Sequence, residues 1–387
     1  MEIKDLRVGL VGCGFMGRVH SNAYRRLNNF FPLRHRAVLK AICDVDAEKA
    51  QKFVDVWGYE RAVTSWRNLV ESEDIDLIDI CVPNFAHREI AVAAAEAGKM
   101  VFCEKPLAMN AAEGKEMVQA VEAGKVPNMI SFNYRRVPSI SLAKQIIDEN
   151  RIGRPFHYRA VYLQDWTISV DVPQGGDALW RLDAKIAGSG VTGDLLAHSI
   201  DTAMWLNGSI TRVVAKTETF IKQRMHVITG KVQPVTIDDA CMLLAEFANG
   251  SIGTFEATRY ARGRKNFSTF ELNGTDGSLY FDLEEPEYLQ FFEYKQQQSG
   301  KKVESHLTGW RKIHVTNSEH PYMKNYWVPG TCIGYEHTFL NELADFVTGI
   351  ENGVPAQPDF RCGLQTQRVC DAILESARSG HWMETGL

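Results

Sequence analysis

The sequence lacks the features that mark membrane-spanning and nucleic-acid-binding proteins. No apolar run approaches the roughly 20 residues that a membrane-spanning helix needs. Basic residues form no long run or stripe, and the formal net charge at pH 7 is −5. Nucleic-acid-binding surfaces are usually strongly basic. We therefore expect neither a membrane nor a nucleic acid to be a partner of this chain.

The chain also lacks the cysteine patterns of zinc sites and disulfide frameworks. Its eight cysteines are scattered, and no Cys-x-x-Cys pair occurs. Four of them fall in or next to predicted buried strands: Cys13, Cys43, Cys81 and Cys103. The polar residues 1–5 lead straight into a strand, so we expect no secretory signal. Small buried thiols in such a chain predict a reducing, cytoplasmic location.

The composition is that of a soluble globular protein long enough for two or three domains, with 387 residues, 45% of them apolar. Strands and helices alternate in the first third. The predicted strands are Leu6–Val11, Val38–Cys43, Asp76–Val82, the run from Val101 that ends at Lys105, and Met129–Tyr134. The predicted helices are Gly17–Leu27, Ala47–Trp57, Ser65–Ser72, Arg88–Ala97 and Ala111–Ala123. This order predicts a doubly wound, Rossmann-type dinucleotide-binding domain over residues 1–136.

A glycine-rich turn joins the first strand to the first helix. The segment from Gly12 through Gly14 to Gly17 fits G-x-G-x-x-G. These glycines serve a tight turn, a close backbone approach to a pyrophosphate, and close packing of helix on strand. The helix N-terminus then offers free N–H groups to the anion. A lone glycine pattern also marks ordinary turns, but here a strand precedes it and a helix follows.

An acidic residue ends the second strand. Asp44 can bind the ribose hydroxyls of an adenosine and would repel a 2′-phosphate, which favours NAD over NADP. The segment from the glycines to Asp44 is longer than usual, since residues 28–36 look inserted. The basic residues Arg34, His35 and Arg36 lie in this insertion. They either fold back toward a phosphate or form a solvated basic loop, and charge clusters usually sit in water.

The run from Val101 to Pro106 reads as a short strand that ends in Glu104 and Lys105. The carboxyl ends of parallel strands face the crevice where such sheets bind ligands. We therefore interpret Lys105 as the chemical centre of the protein. The alternative is that Glu104 and Lys105 form an exposed ion pair of little consequence.

The second half of the chain has a different secondary-structure pattern, in which longer strands are joined by turns. The predicted strands are Phe156–Trp166, Ile210–Ile221, Ala240–Phe247, Ile252–Arg259, Phe267–Leu272 and Ser278–Leu283. The predicted helices are Ser139–Asn150, Gly193–Leu206, Tyr335–Gly349 and Gly363–Arg378. Hairpins of this kind predict an open, mainly antiparallel sheet domain over residues 137–387, with helices on one face. Its uncovered face would need a partner, so we expect a homodimer or homotetramer.

One predicted helix carries closely spaced acid–base residues. The glycines Gly188, Gly190 and Gly193 form a flexible approach to it. Asp194 and His198 are four positions apart and share one helix face. They could be catalytic, or they could be a first-turn acid and a buried structural pair. No third metal ligand sits at a suitable offset, so we expect no metal.

Taken together, these motifs resemble the Gfo/Idh/MocA family, which includes glucose–fructose oxidoreductase and inositol dehydrogenase. The resemblance rests on Gly12 to Gly17, Val82-Pro83-Asn84 with His87, Glu104-Lys105-Pro106, Phe132 to Arg135, and Gly193-Asp194 with His198 and Asp201. The motifs occur in the family's order. The pair Trp180-Arg181 resembles the subset that acts on pyranosides. The resemblance implies a two-domain oligomer that oxidises a ring hydroxyl of a sugar, anhydrosugar or cyclitol with NAD, or less expectedly NADP.

The resemblance also assigns roles to residues. His198 would accept the hydroxyl proton, Lys105 would stabilise the alkoxide, and Asp194 would orient the substrate and hold His198. Besides Gly12, Gly14 and Gly17, cofactor contacts would come from Phe15, Met16, Asp44, Pro83, Asn84, His87, Glu104, Lys105, Asn133, Trp180 and Arg181. With the three catalytic residues, a sugar pocket would contain Tyr134, Gln164, Trp166, Tyr335 and His337, although aromatic residues most often simply bury area.

Two other functions stay open. An epimerase or eliminase on a glycoside would oxidise one carbon transiently and regenerate NAD in place. A non-catalytic regulator of the same fold would sense the cofactor, but such proteins typically lack the lysine or the histidine. Both Lys105 and His198 are present here.

Overall fold

A computed structural model describes residues 3–176, 179–294 and 305–387. The strands β1 to β17 are Lys4–Val11, His35–Cys43, Arg61–Val63, Leu77–Ile80, Met100–Glu104, Asn128–Ser131, Pro155–Leu163, Ile210–Glu218, Gln223–Met225, Val232–Pro234, Ala240–Phe247, Ile252–Thr258, Phe267–Gly274, Gly277–Asp282, Tyr288–Glu293, Arg311–His314 and Met383–Glu384. The α-helices α1 to α10 are Phe15–Phe30, Ala47–Trp57, Arg67–Val70, His87–Glu96, Ala111–Ala123, Pro138–Asp148, Ala184–Ala187, Ala197–Asn207, Glu336–Asn352 and Phe360–Ser379.

The chain forms two compact units. The first comprises residues 1–136, 175–189 and 334–368, and the second comprises 137–174, 190–333 and 369–387. The first break coincides with the expected domain boundary after residue 136. The expected domains are contiguous, however, whereas the compact units are interleaved along the chain. The chain returns to the first unit twice, and the last break falls inside α10.

The first unit contains a parallel sheet with strand order β3-β2-β1-β4-β5-β6. Each strand of this sheet pairs in parallel with its neighbour, which confirms the predicted Rossmann fold. Strand order reverses between β1 and β4, and ligands bind at such a point, beyond the carboxyl ends of the strands. The strand predicted over Met129–Tyr134 ends early, because residues 133–136 form a 3₁₀ turn after β6.

The residues that looked inserted before Asp44 lengthen regular elements instead. Helix α1 continues to Phe30 and β2 begins at His35. Arg34 and His35 both pair with Glu351 of α9. The Arg34 Nε atom lies 3.3 Å from Glu351 Oε2, and the His35 Nδ1 atom lies 3.2 Å from Glu351 Oε1. Arg36 pairs with Asp5 at 2.8 Å. Because each of these cations pairs with a carboxylate of the same unit, the structure does not favour their binding a phosphate of the cofactor.

The second unit contains a sheet with strand order β16-β15-β14-β13-β7-β12-β11-β8-β17. Every pairing is antiparallel except that of β7 with β12, which confirms the mainly antiparallel sheet. On one face α6 packs on β14 and β15, and α8 packs on β7. Aromatic rings fill that side, with Tyr158 stacked on Phe255 and Phe270. A separate pair, β9 with β10, was not predicted from the sequence.

No helix of residues 3–176, 179–294 and 305–387 combines the length and the apolar character needed to cross a bilayer. The eight cysteines are free thiols. Cys13, Cys43, Cys81 and Cys103 are buried, as the strand pattern predicted.

Candidate functional site

The glycine turn of the first unit has the geometry of an anion-binding loop. Gly12 has φ +110°, and a Cβ there would overlap the carbonyl oxygen of Cys81. A Cβ at Gly17 would overlap the carbonyl oxygen of Gly12. Gly14, by contrast, faces open space and precedes α1 without a side-chain cap. The first N–H groups of α1 are thus left to an external acceptor such as a pyrophosphate.

Asp44 lies beside this turn, directly after β2. Its Oδ2 accepts a hydrogen bond from the backbone N–H of Cys13 at 2.9 Å, and its Oδ1 accepts one from Asp46 at 3.0 Å. These bonds fix the carboxylate at the end of the glycine turn, where an adenosine ribose binds in dinucleotide folds. The turn and Asp44 together fit NAD.

An aromatic pair stands next to the glycine turn. The ring of Phe15 is 61% exposed and lies parallel to the ring of Tyr335, with centroids 6.4 Å apart. The sequence prediction placed Tyr335 in a sugar pocket. Its observed neighbour is a residue of the cofactor-binding turn.

His337, also predicted for the sugar pocket, is buried at the start of α9. Its Nδ1 accepts a hydrogen bond from the backbone N–H of Gly334 at 3.1 Å, and its Nε2 lies 3.4 Å from Arg26. Burial lowers the pKa of His337. The ring therefore holds the beginning of α9 beside α1 and has almost no surface to offer a sugar.

Lys105 follows β5 directly, as predicted, and its neighbour Glu104 is fixed by a buried charge cluster. Glu104 accepts hydrogen bonds from the Lys105 N–H at 3.2 Å and from His20 Nε2 at 3.0 Å. His20 Nδ1 lies 2.9 Å from Asp79. Burial lowers the pKa of His20, but the charges of Asp79 and Cys81 and the hydrogen bonds to them together raise that pKa well above its ordinary value. An imidazolium thus bridges two carboxylates directly behind Lys105.

Three residues predicted to contact the cofactor are buried in the first unit, where their side chains form hydrogen bonds. His87 is fully buried, and its Nδ1 and Nε2 lie 3.0 Å and 2.9 Å from the carbonyl oxygens of Pro106 and Val82. Asn84 donates to the Ala187 carbonyl at 2.8 Å, and Asn133 donates to Thr338 Oγ1 at 2.9 Å. The His87 contacts join the segments that follow β4 and β5, while Asn84 and Asn133 link the segments after β4 and β6 to α7 and α9. Several other predicted contacts of this unit are less buried, namely Gly14, Phe15, Met16, Asp44, Pro83, Lys105, Trp180 and Arg181. The Arg181 guanidinium is stacked 4.3 Å above the ring of Trp180.

In the second unit, a buried carboxylate fixes the start of the helix that carries Asp194 and His198. Asp238 accepts hydrogen bonds from the Gly190 N–H at 2.6 Å and from both the N–H and the hydroxyl of Thr192 at 2.7 Å. A Cβ at Gly190 would overlap the Asp238 backbone, so glycine is required there. Asp238 therefore fixes the start of this helix, just ahead of Asp194.

The helix predicted over Gly193–Leu206 begins as a π-helical turn, Thr192–Leu196, before α8. Such turns are frequent at functional sites. Asp194 lies in the π turn, and its Oδ2 accepts a hydrogen bond from Arg259 Nη2 at 2.6 Å. His198 lies in the first turn of α8, with its ring centroid 6.3 Å from that of Tyr162. The predicted acid–base residues are thus brought onto one short segment.

Polar and aromatic side chains continue from these two residues. The ring of Trp166 lies 5.2 Å from the Arg259 guanidinium carbon. Trp166 Nε1 donates to Gln164 at 2.9 Å, and Gln164 Nε2 donates to Asn266 at 3.0 Å. Asn266 also accepts from the Tyr162 hydroxyl at 2.8 Å. We call this set the polar belt: Asp194, Arg259, Trp166, Gln164, Asn266, Tyr162 and His198. Predicted pocket residues Gln164 and Trp166 belong to it, whereas Lys105, Tyr134, Tyr335 and His337 belong to the first unit.

Three members of the polar belt were not predicted from the sequence: Tyr162, Arg259 and Asn266. For Arg259 a signal was available. Burial alternates along β12, and Arg259 continues the inward face of Phe255 and Ala257. An arginine on the buried face of a strand needs a carboxylate partner, which would have pointed to an acidic residue nearby.

Family models match most of the chain. The model described as "Oxidoreductase family, NAD-binding Rossmann fold" matches residues 6–132. The model of the GFO/IDH/MocA C-terminal domain matches residues 140–280. The two matches follow each other along the chain and fall on both sheets.

Individual proteins match over the full length. The chain is 39% identical to levoglucosan dehydrogenase from Pseudarthrobacter phenanthrenivorans, over 99% of this chain and 98% of that protein. It is 26% identical to D-apiose dehydrogenase from Paraburkholderia graminis, over 99% and 90%. A solved structure of levoglucosan dehydrogenase in complex with NADH and levoglucosan superposes with a TM-score of 0.93 at 40% identity, covering 99% of this chain and 100% of that one.

Proposed function

The chain belongs to the Gfo/Idh/MocA family of NAD-dependent oxidoreductases, and from this premise we propose that it oxidises a ring hydroxyl of a sugar, anhydrosugar or cyclitol. The observation that carries the proposal is the polar belt of the second unit. It combines an acid–base pair, Asp194 and His198, with the amide and indole groups of Gln164 and Trp166. Such groups suit a polyol, which offers hydroxyls to hydrogen-bond and C–H faces to stack on aromatic rings.

The first unit binds the cofactor. The N-terminus of α1 receives the pyrophosphate, and Asp44 receives the adenosine ribose, as their geometry at the glycine turn favours. Bound NAD supplies the hydride acceptor. The exposed ring of Phe15 and the stacked pair Trp180 and Arg181 offer further flat surfaces for its rings.

Three side chains carry the proton chemistry. Oxidation of an alcohol requires loss of the hydroxyl proton as the hydride leaves the carbon. His198 accepts that proton, since imidazole titrates near neutral pH. The Lys105 cation stabilises the alkoxide as it forms. Asp194 accepts a hydrogen bond from a substrate hydroxyl and thereby orients the reacting carbon.

The test is a cofactor reduction assay. Purified protein is mixed with NAD, and separately with NADP, against a panel of inositols, pyranoses and anhydrosugars that includes levoglucosan. The absorbance of the reduced nicotinamide is followed, with His381→Ala, a change at an exposed histidine, as a control. We expect a signal with NAD and one substrate group. Silence across the panel by a protein that binds NADH would contradict net oxidation and favour internal recycling of NAD.

We also propose that the exposed face of the second unit's sheet joins copies of the chain in a homodimer or homotetramer. Met242 and Leu244 of β11 and Ile252 of β12 are half or more exposed on that face. Neighbouring exposed apolar side chains of this kind mark protein–protein contacts. Sedimentation of wild type and of Met242→Glu/Leu244→Glu tests this. A smaller particle is expected for the double variant, and a monomeric wild type would contradict the proposal.

We propose the cytoplasm as the location. Free, mostly buried thiols fit a reducing compartment, where NAD is also available. Fractionation of the producing cell checks this, and recovery of the protein outside the cytoplasm would contradict it.

A further inference from the structure

Arg259 is the buried cation of the polar belt. It follows β12 directly and its side chain is 0% exposed. Its Nη2 donates to Asp194 at 2.6 Å, and the ring of Trp166 covers the guanidinium at 5.2 Å. Within the described residues its Nε and Nη1 have no hydrogen-bond partner. The carboxylate of Asp194 thus provides the dominant compensation for a fully buried charge.

A buried ion pair is weak evidence for a stabilising role. Desolvation of both charges often costs as much as their attraction returns, and an apolar pair of similar volume can be as stable. Here the two partners are also unequal, since the Asp194 side chain is 20% exposed while that of Arg259 is not exposed. The Asp194 carboxylate is therefore partly accessible at the surface, while the guanidinium of Arg259 that polarises it stays buried.

The contact fixes the direction of that carboxylate. Asp194 lies in a π turn whose start is held by Asp238, so its backbone is constrained. The short hydrogen bond from Arg259 then restrains Oδ2, and Trp166 restrains Arg259 from its face. Charge-assisted hydrogen bonds of this length give orientation as well as energy. Preorganisation of this kind matters when a group must meet a reacting centre within a fraction of an ångström.

We propose that Arg259 is a positioning residue for the oxidation: it holds the Asp194 carboxylate ionised and in the orientation that receives the substrate. This inference rests on the proposed function. Arg259 touches neither substrate nor cofactor, because its side chain has no exposed surface. It acts through Asp194, and its loss therefore affects the reaction only where Asp194 is present.

A double-mutant cycle on Arg259→Met and Asp194→Ala tests this dependence. Loss of a charge-assisted hydrogen bond predicts a roughly 10–100-fold fall in kcat for Arg259→Met, with KM changed much less. Arg259→Lys should recover part of that fall, since it keeps a cation at the site. In the Asp194→Ala background, Arg259→Met should cause no further loss. Equal losses in both backgrounds, or an unchanged kcat in Arg259→Met, would overturn the proposal.

Arg224 provides a matched control in the same unit. It is also fully buried, but its guanidinium donates to the carbonyl oxygens of Thr167, Ser169 and Val172 and to the Tyr260 hydroxyl. Arg224→Met removes a buried arginine without touching the Asp194 contact. It should lower the melting temperature yet keep kcat per folded molecule near that of wild type. A fall in kcat equal to that of Arg259→Met would show that loss of any buried arginine suffices, which overturns the positioning role.

Failure of this inference differs from failure of the proposed function. If the wild type turns over no member of the substrate panel, the oxidation itself is contradicted, and the inference with it. If the wild type turns over a substrate but the cycle is additive, only the inference is overturned. Urea unfolding of the same four proteins supplies a readout independent of turnover. Asp194→Ala alone should lower the denaturation midpoint, and adding Arg259→Met should raise it again, because the uncompensated buried charge is then gone.

Discussion

Each of the two compact units buries a cation against carboxylates, and the two cations are satisfied to different degrees. In the first unit, both ring nitrogens of His20 lie within hydrogen-bond distance of a buried carboxylate, Asp79 or Glu104. In the second unit, Arg259 pairs with Asp194, while its Nε and Nη1 have no partner among the described residues. The first arrangement is closed and inaccessible. The second ends in a carboxylate that reaches the surface.

This difference suggests that the His20 cluster stabilises the fold, whereas the polar belt takes part in the reaction. A fully satisfied buried network rigidifies the elements it joins, and here it joins α1, β4 and β5 behind Lys105. A buried polar group left unsatisfied costs free energy, and a catalytic role is one reason for a native protein to keep it. We therefore expect changes in the His20 cluster to act on stability, and changes in the polar belt to act on turnover.

The largest expected loss of stability follows from opening the closed cluster. His20→Leu would leave Asp79 and Glu104 buried without their shared cation, at a cost of about 3–5 kcal/mol in the free energy of unfolding. His35→Leu is the matched control, because His35 pairs with one carboxylate, Glu351, nearer the surface and should cost much less. Urea unfolding measures both. An equal loss of unfolding free energy in His20→Leu and His35→Leu would contradict the claim that the buried His20 cluster adds stability.

A smaller effect, which depends on pH, is expected at Glu342 of the first unit. Burial raises its pKa from 4.5 to about 8, although Arg136 and Ser131 oppose the rise. Between these values the folded state keeps a proton that the unfolded state has released, so stability falls as pH rises and levels off above the folded pKa. Glu342→Gln removes this dependence and should gain a few kcal/mol relative to wild type by pH 8.

Unfolding of both proteins from pH 4.5 to 9 checks the prediction for Glu342. Glu96→Gln, at an exposed carboxyl at the end of α4, should leave the pH profile unchanged. A constant difference between Glu342→Gln and wild type across this range would contradict a buried, protonated Glu342.

The smallest effect on stability, with a clear effect on binding, is expected at Gly14. Its surroundings are open, so Gly14→Ala should change the free energy of unfolding by less than about 0.5 kcal/mol. The added methyl group stands where the pyrophosphate must approach the backbone, so NADH affinity should fall roughly tenfold or more. Gly12→Ala, at φ +110° against Cys81, should instead destabilise the fold. Fluorescence titration with NADH and urea unfolding separate the two. Unchanged NADH affinity in Gly14→Ala would contradict the binding role.

Local sequence patterns predicted the parts of the structure that depend on residues close together in the sequence. Period-2 and helical periodicity, with the glycines, predicted the Rossmann sheet, the position of Lys105 and the helix of Asp194 and His198. Packing partners distant in sequence decide the rest. Tyr335 and His337 remain predicted pocket residues, but their contacts with the Phe15 ring and with Arg26 of α1 join positions too far apart in sequence for a local pattern to indicate. The strand pattern could mark Arg259 as a buried cation, but its partner Asp194 lies 65 positions away and could not be identified from that pattern.

The central claim is that this chain oxidises a hydroxyl with His198 as base and Lys105 as electrostatic partner. The most direct test measures NAD reduction by His198→Ala and Lys105→Ala on the substrate identified with wild type. We predict a fall in kcat of about 10²–10⁴-fold in each variant, with NADH affinity of His198→Ala and cooperative unfolding of both retained. Turnover close to wild type in both folded variants would contradict the account.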